Sequence, residues 1–129
     1  MFQTIVVAID GSEPARRALD TACQLAKTLG GEIHLVHALE NTASDADKPG
    51  TSAVMTAAVH QAEVLGISPA STTVGEGDPF EEIMTIADLY SADLVVAGRR
   101  GMSGLGGLLA GSTSQQLAKG GDFAFLSVK

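Results

Sequence analysis

Thr4-Ile5-Val6-Val7-Ala8-Ile9 runs straight into Asp10-Gly11-Ser12-Glu13-Pro14. An unbroken β-branched apolar run suits a strand covered on both faces, the environment of a parallel sheet. Ser12 then reads as a helix N-cap, and Pro14 fits the first helical turn, where a missing N–H costs nothing. Ala15, Ala18, Leu19, Ala22, Leu25, Ala26 and Leu29 recur at helical spacing. Gly30-Gly31 ends the helix. Glu32 to Leu39 (EIHLVHAL) is a second buried strand. Strand, crossover helix and second strand form a βαβ unit, and that unit sets the reading of the rest.

The same alternation continues outward. Asn41 to Gly50 is polar and turn-rich, so it reads as a loop. Val54, Ala57, Ala58, Ala62 and Leu65 give a weaker helix closed by Gly66, and Ala70 to Val74 a short strand. Gly75-Glu76-Gly77 reads as a loop. Asp78, Pro79 and Glu81 mark a helix start with a capping box, and Phe80, Ile83, Met84 and Ala87 form its apolar face. Asp93 to Ala97 is a buried strand, followed by a glycine-rich segment, a helix from about Thr113 to Lys119, and a last strand from Phe123 to Val128. The order predicts one α/β domain over residues 1–129, a five-stranded parallel open sheet with helices on both faces and right-handed crossovers. Ligands of such sheets bind beyond the carboxyl ends of the strands. That rule makes neighbours of Asp10-Gly11-Ser12, Ala38-Leu39, Gly75-Glu76-Gly77 and the segment beginning at Gly98.

Composition narrows the function. A chain of 129 residues with 45% hydrophobic residues can bury a core without staples. The net charge of −7 argues against nucleic acid and anionic membranes as partners, since both demand a basic surface. A single cysteine, Cys23, allows no internal disulfide and falls in the first helical pattern as a small buried hydrophobe. The start of the chain has neither the basic nor the apolar region of a signal peptide, and no apolar run approaches a membrane span. The expectation is a cytoplasmic protein without membrane insertion.

The chemistry concentrates in Gly98-Arg99-Arg100-Gly101-Met102-Ser103-Gly104-Leu105-Gly106-Gly107-Leu108-Leu109-Ala110-Gly111-Ser112-Thr113-Ser114, which holds 6 of the 15 glycines. Glycine lets backbone N–H groups approach an anion, and a helix start adds unsatisfied donors and partial positive charge. The Ser112 and Thr113 hydroxyls can donate as well. The segment therefore reads as a phosphate cradle, against the plainer reading of a glycine-rich turn with no ligand. It is not a Walker A loop: Gly106 to Gly111 has that spacing, but Ser112 stands where lysine is required. The dinucleotide pattern G-x-G-x-x-G is absent after the first strand. Arg99 and Arg100 are either solvated loop charges or contacts to a triphosphate or a partner.

The spacing Gly98-x2-Gly101-x9-Gly111-Ser112 resembles the nucleotide-binding signature of the universal stress protein family. The resemblance extends over nearly the whole chain, through Asp10-Gly11-Ser12, His37-Ala38, the Gly75-x-Gly77-Asp78-Pro79 turn and the terminal strand. It implies a flavodoxin-like or Rossmann-like domain of the ATP-binding branch that forms dimers. It implies further that Asp10 lies near the nucleoside, that the Ala38 backbone contacts adenine, and that Ala97 and Gly98 line the ribose. Gly101, Gly111, Ser112 and Thr113 match the phosphate contacts, with Arg100 beside them. ATP, or AMP or ADP, is the implied ligand, with Mg²⁺ or Mn²⁺ reaching Asp10 only through the nucleotide. Two departures stand out: residues 40–66 are shorter than usual, and the last strand lacks the usual proline and valines. That strand often pairs across a dimer axis in the family, and Phe123, Phe125 and Leu126 would leave an apolar edge here.

Other residues carry less. His34 and His37 lie on opposite faces of one strand by the period-two rule and cannot jointly grip a metal. His60 reads as a surface residue. Glu81-Glu82 fit helix-start electrostatics better than paired catalytic carboxylates. Ser112 has no nucleophile elbow. The expected function is a nucleotide-binding regulatory protein of the stress response with an unnamed protein partner. A slow ATP hydrolase built on Asp10 and Mg²⁺, and a nucleotide-free interaction module, are the alternatives.

Overall fold

The computed structural model describes residues 1–39, 52–99, 117 and 121–129. Strand β1 (Thr4–Ala8) leads into helix α1 (Glu13–Leu29), β2 (Glu32–Leu39), α2 (Ala53–Val64), β3 (Ser71–Glu76), α3 (Pro79–Leu89), β4 (Leu94–Gly98) and β5 (Ala124–Val128). The five strands form one sheet in the order β3-β2-β1-β4-β5, with every pairing parallel. The chain thus winds outward from β1 to β3, crosses back over β1 to β4, and ends at the opposite edge. The crossing creates a topological switch point between the carboxyl ends of β1 and β4.

Local chemistry places the helices. Ser12 caps α1, its Oγ accepting the Ala15 N–H at 3.2 Å, and Gly30 closes the helix. Ala15, Ala18, Leu19, Ala22, Cys23 and Ala26 form the buried face, and its small side chains let α1 lie close to the sheet. Asp78 caps α3, its Oδ2 accepting the Glu81 N–H at 3.0 Å. Ser52 caps α2 by accepting the Met55 N–H at 2.9 Å. The buried stripe of α2 is Met55, Ala58 and Ala62, spaced three and four residues apart. Ala57, expected on that stripe, is exposed.

Two cores result, one on each face of the sheet. Ile5, Val7, Ile33, Leu35, Leu94 and Val96 pack with α1 and α2. Val6, Val36, Val95, Ile83, Ile86 and Leu117 are among those packed on the other face, with α3. Alternate residues of each strand serve opposite cores, which is why the central runs are apolar without interruption. Val6, Val7, Val95 and Val96 are all fully buried, each contributing about 1.5–3 kcal/mol by the usual transfer scale.

The sequence places β3 too short. Gly75 and Glu76, expected as loop, belong to the strand, because the β2 ladder continues through Ala38↔Gly75 and Leu39↔Glu76. The expected loop Asn41–Gly50 lies outside the described residues. So does the expected helix Thr113–Lys119 except for Leu117, which is helical and buried in the α3-side core. Among the described residues no helix is long and apolar enough to cross a membrane.

Candidate functional site

The site is built at the switch point by the ends of β1, β2 and β4. Asp10 follows β1 after one residue, Ile9. Its Oδ1 accepts the Ser12 N–H at 2.8 Å and the Ser12 O–H at 2.5 Å. The Ser12 oxygen meanwhile caps α1, so one hydroxyl fixes both the helix start and the aspartate carboxylate. Gly98 ends β4 beneath the first turn of α1. A Cβ there would collide with backbone atoms of Pro14 and Ala15 and lie 2.7 Å from the Pro14 carbonyl oxygen. Only glycine allows this closeness, which brings the α1 N-terminus and its unsatisfied N–H groups against the end of β4.

Register aligns the candidate residues across the sheet. Ala38 pairs with Gly75, and Ala8 with Val36, so Asp10, two residues on, lies level with Ala38. Val7 pairs with Val96, which sets Asp10 level with Arg99. Arg99 in turn donates its N–H to the Val128 carbonyl at 2.5 Å, and Arg17 Nε donates to the Lys129 carbonyl at 2.7 Å. One transverse row thus runs from Gly75 through Ala38, Asp10 and Arg99 to Lys129. Three strand spacings, about 14 Å, separate Gly75 from Arg99. Ala38 and Ala97 both turn their methyl groups into the α3-side core. Any ligand contact from either residue is therefore made by the backbone. Arg100, Gly101, Gly111, Ser112 and Thr113 lie outside the described residues.

The histidines are accounted for by packing. His34 is buried, with Nδ1 hydrogen-bonded to Ser71 Oγ at 2.7 Å, Nε2 to Glu32 at 2.8 Å, and its ring stacked 4.0 Å from that of Tyr90. His37, on the other face, meets Ser52 Oγ at 2.9 Å and ties the end of β2 to the start of α2. The sequence signals neither Ser52 as a cap nor this tie. His60 is exposed. Among the described residues no group of three or more His, Cys, Asp or Glu could hold a metal ion. Cys23 is buried, and desolvation, followed by the nearby Asp20 charge, pushes its thiol up to about 11. It is protonated at neutral pH and packs as the small hydrophobe expected.

A cleft of about 770 Å³ opens between α1 and α2 and meets the site at Gly11. Its polar wall is already engaged: Arg16 lies 3.5 Å from Glu13, and Gln61 donates to the Arg16 carbonyl at 2.9 Å.

Known proteins share the sequence pattern and the fold. The model of the universal stress protein family matches residues 1–129. A Thermus aquaticus universal stress protein is 32% identical, with 91% of each chain covered. Universal stress protein YxiE of Bacillus subtilis is 29% identical, over 92% of this chain and 93% of its own. A universal stress protein crystallised in complex with cAMP superposes with a TM-score of 0.77 at 28% identity, covering 98% of this chain and 96% of that one. One from Archaeoglobus fulgidus reaches 0.80 at 26% identity, with both chains fully covered. With the family model matching residues 1–129 and a relative 32% identical over 91% of each chain, the chain belongs to the universal stress protein family.

Proposed function

We propose that this protein binds an adenine nucleotide as a regulatory ligand in the cytoplasm, in the stress response. The observation that carries the proposal is the cAMP complex of a relative 28% identical over nearly the whole chain. The row across the sheet end supports it. Ala38 offers backbone to the base, Asp10 and Gly98 flank the nucleoside, and the α1 N-terminus adds partial positive charge. The phosphates are assigned to Gly98-x2-Gly101-x9-Gly111-Ser112 and Thr113, with Arg100 alongside. Asp10 is the carboxylate at hand for a divalent ion carried by the phosphates, since Mg²⁺ is held by one or two carboxylates together with phosphate oxygens. Its Oδ1 already accepts two hydrogen bonds from Ser12, which orients the group without building a metal site of its own.

Calorimetry with ATP, ADP, AMP and cAMP tests the reading, together with mass spectrometry of any ligand released from the purified protein. Gly111→Val is expected to abolish ATP binding while leaving the circular dichroism spectrum unchanged. Unchanged affinity in that variant overturns the loop assignment. No lysine of the Walker type is present, so steady hydrolysis faster than about 1 s⁻¹ would replace the regulatory reading with an enzymatic one.

The same proposal includes a homodimer through β5, an edge strand of the sheet. The Ala124 N–H points inward to the Asp93 carbonyl, so by alternation the N–H groups of Phe125 and Ser127 point outward. Light scattering at micromolar concentration is expected to give a dimer mass. Ser127→Pro, which removes an outward N–H from an exposed position, is expected to give a monomer. A monomeric parent protein removes the dimer from the proposal.

A further inference from the structure

We propose that Glu82 reads the base of the bound nucleotide and selects a 6-amino purine over a 6-oxo purine; this rests on the adenine-nucleotide reading above. Glu82 lies in the first turn of α3 and folds back over Gly75, near the carboxyl end of β3. A Cβ on Gly75 would collide with its Oε1 and lie 2.7 Å from its Cδ. The carboxylate therefore fills the volume that a side chain at position 75 would occupy. Gly75 is the register partner of Ala38, so the carboxylate sits one strand away from the backbone assigned to the base. Glu82 is half-buried, and among the described residues its carboxylate is in no hydrogen bond or ion pair.

The base is assigned to the Ala38 backbone, and Ala38 pairs with Gly75. The base is therefore the part of the nucleotide nearest Glu82. A carboxylate only accepts hydrogen bonds. Adenine presents an exocyclic amino donor at position 6, whereas hypoxanthine and guanine present a carbonyl oxygen there. Placed at position 6, Glu82 accepts from the first and is repelled by the second; a carboxylate at N1, which carries a hydrogen in a 6-oxo purine, would favour the other class.

Glu81 provides the control. It carries the same charge in the same first turn, with the same helix-dipole benefit. It is exposed and does not cover Gly75. Wild type, Glu82→Gln and Glu81→Gln are titrated with ATP and with ITP, which replaces the 6-amino group by oxygen. Wild type is expected to prefer ATP by about tenfold or more, the scale of one charge-assisted hydrogen bond. Glu82→Gln is expected to narrow that ratio by about tenfold, because an amide can donate to the 6-oxo group as well as accept. Glu81→Gln is expected to retain it. Glu82→Asp, which keeps the charge but shortens the reach, is expected to narrow it too, and covers the case in which Glu82→Gln does not fold. An ATP-to-ITP ratio unmoved by Glu82→Gln, or moved equally by Glu81→Gln, overturns the inference while leaving nucleotide binding intact. Wild type that binds neither nucleotide removes the underlying reading and the inference with it.

Discussion

Two corners of this fold are written in nearly the same sequence chemistry. Asp10-Gly11-Ser12-Glu13-Pro14 turns β1 into α1, and Gly75-Glu76-Gly77-Asp78-Pro79 turns β3 into α3. Each has a glycine at positive φ, 82° at Gly11 and 120° at Gly77, then a capping side chain and a proline in the first turn. Their surroundings differ. The first corner follows the central strand of the order β3-β2-β1-β4-β5, and the second follows an edge strand. At the first, α1 presses onto Gly98 and the cap hydroxyl also holds Asp10. At the second, the cap serves α3, and the space over the strand end is filled by Glu82. Place in the sheet, more than turn chemistry, decides which corner is clamped and which leaves a carboxylate over the strand end.

The largest effect expected from this difference is at the clamp. Gly98→Ala puts a methyl group into the backbone of Pro14 and Ala15, where no flexible side chain can give way. Overpacking of that kind costs about 3 kcal/mol. Gly77→Ala meets nothing within 4 Å, although its φ of 120° disfavours a side chain, and strain of that kind costs about 1–2 kcal/mol. Urea unfolding of both variants should place Gly98→Ala at the lower midpoint. The reverse order would mean that α1 is not clamped on β4 as described.

Much of this was legible in the sequence because its causes are local. The apolar runs announce buried strands, and Ser12 with Pro14 and Asp78 with Pro79 announce helix starts, since a cap and a fixed φ act within one turn. The five-stranded parallel sheet and the family followed from those signals and from the glycine spacing. What escaped depends on neighbours distant in sequence. β3 extends through Glu76 because β2 lies beside it, and the composition of Gly75-Glu76-Gly77 alone suggests a loop. Glu82 reads as a helix-start charge until Gly75 is seen beneath it. Ser52 precedes a helix with a faint apolar stripe, so its two roles, capping α2 and meeting His37, had no local marker. Asp10, Ala38 and Gly98 lie at one end of the sheet, where the carboxyl-end rule puts them from topology alone.

A subtler difference between the corners separates what their caps do. Ser12→Ala and Asp78→Ala each remove one side-chain acceptor from a helix start, at a cost of about 1 kcal/mol. Thermal melts should therefore place the two variants near each other, with Asp78→Ala slightly lower because it also gives up a favourable charge at the α3 N-terminus. Nucleotide affinity should separate them. Ser12→Ala deletes the O–H that Asp10 Oδ1 accepts at 2.5 Å and keeps the backbone N–H at 2.8 Å. With one of these two orienting hydrogen bonds gone, the carboxylate is freer to rotate, and ATP binding is expected to weaken by about fivefold, the scale of one modest hydrogen bond. Among the described residues the Asp78 side chain accepts only from the Glu81 N–H, so its loss should leave affinity within about twofold, the scatter expected of a site uncoupled from the change. Calorimetry on the two variants at one temperature decides the matter. Equal weakening in both would mean that affinity follows general stability, and that the Ser12 hydroxyl has no separate hold on Asp10.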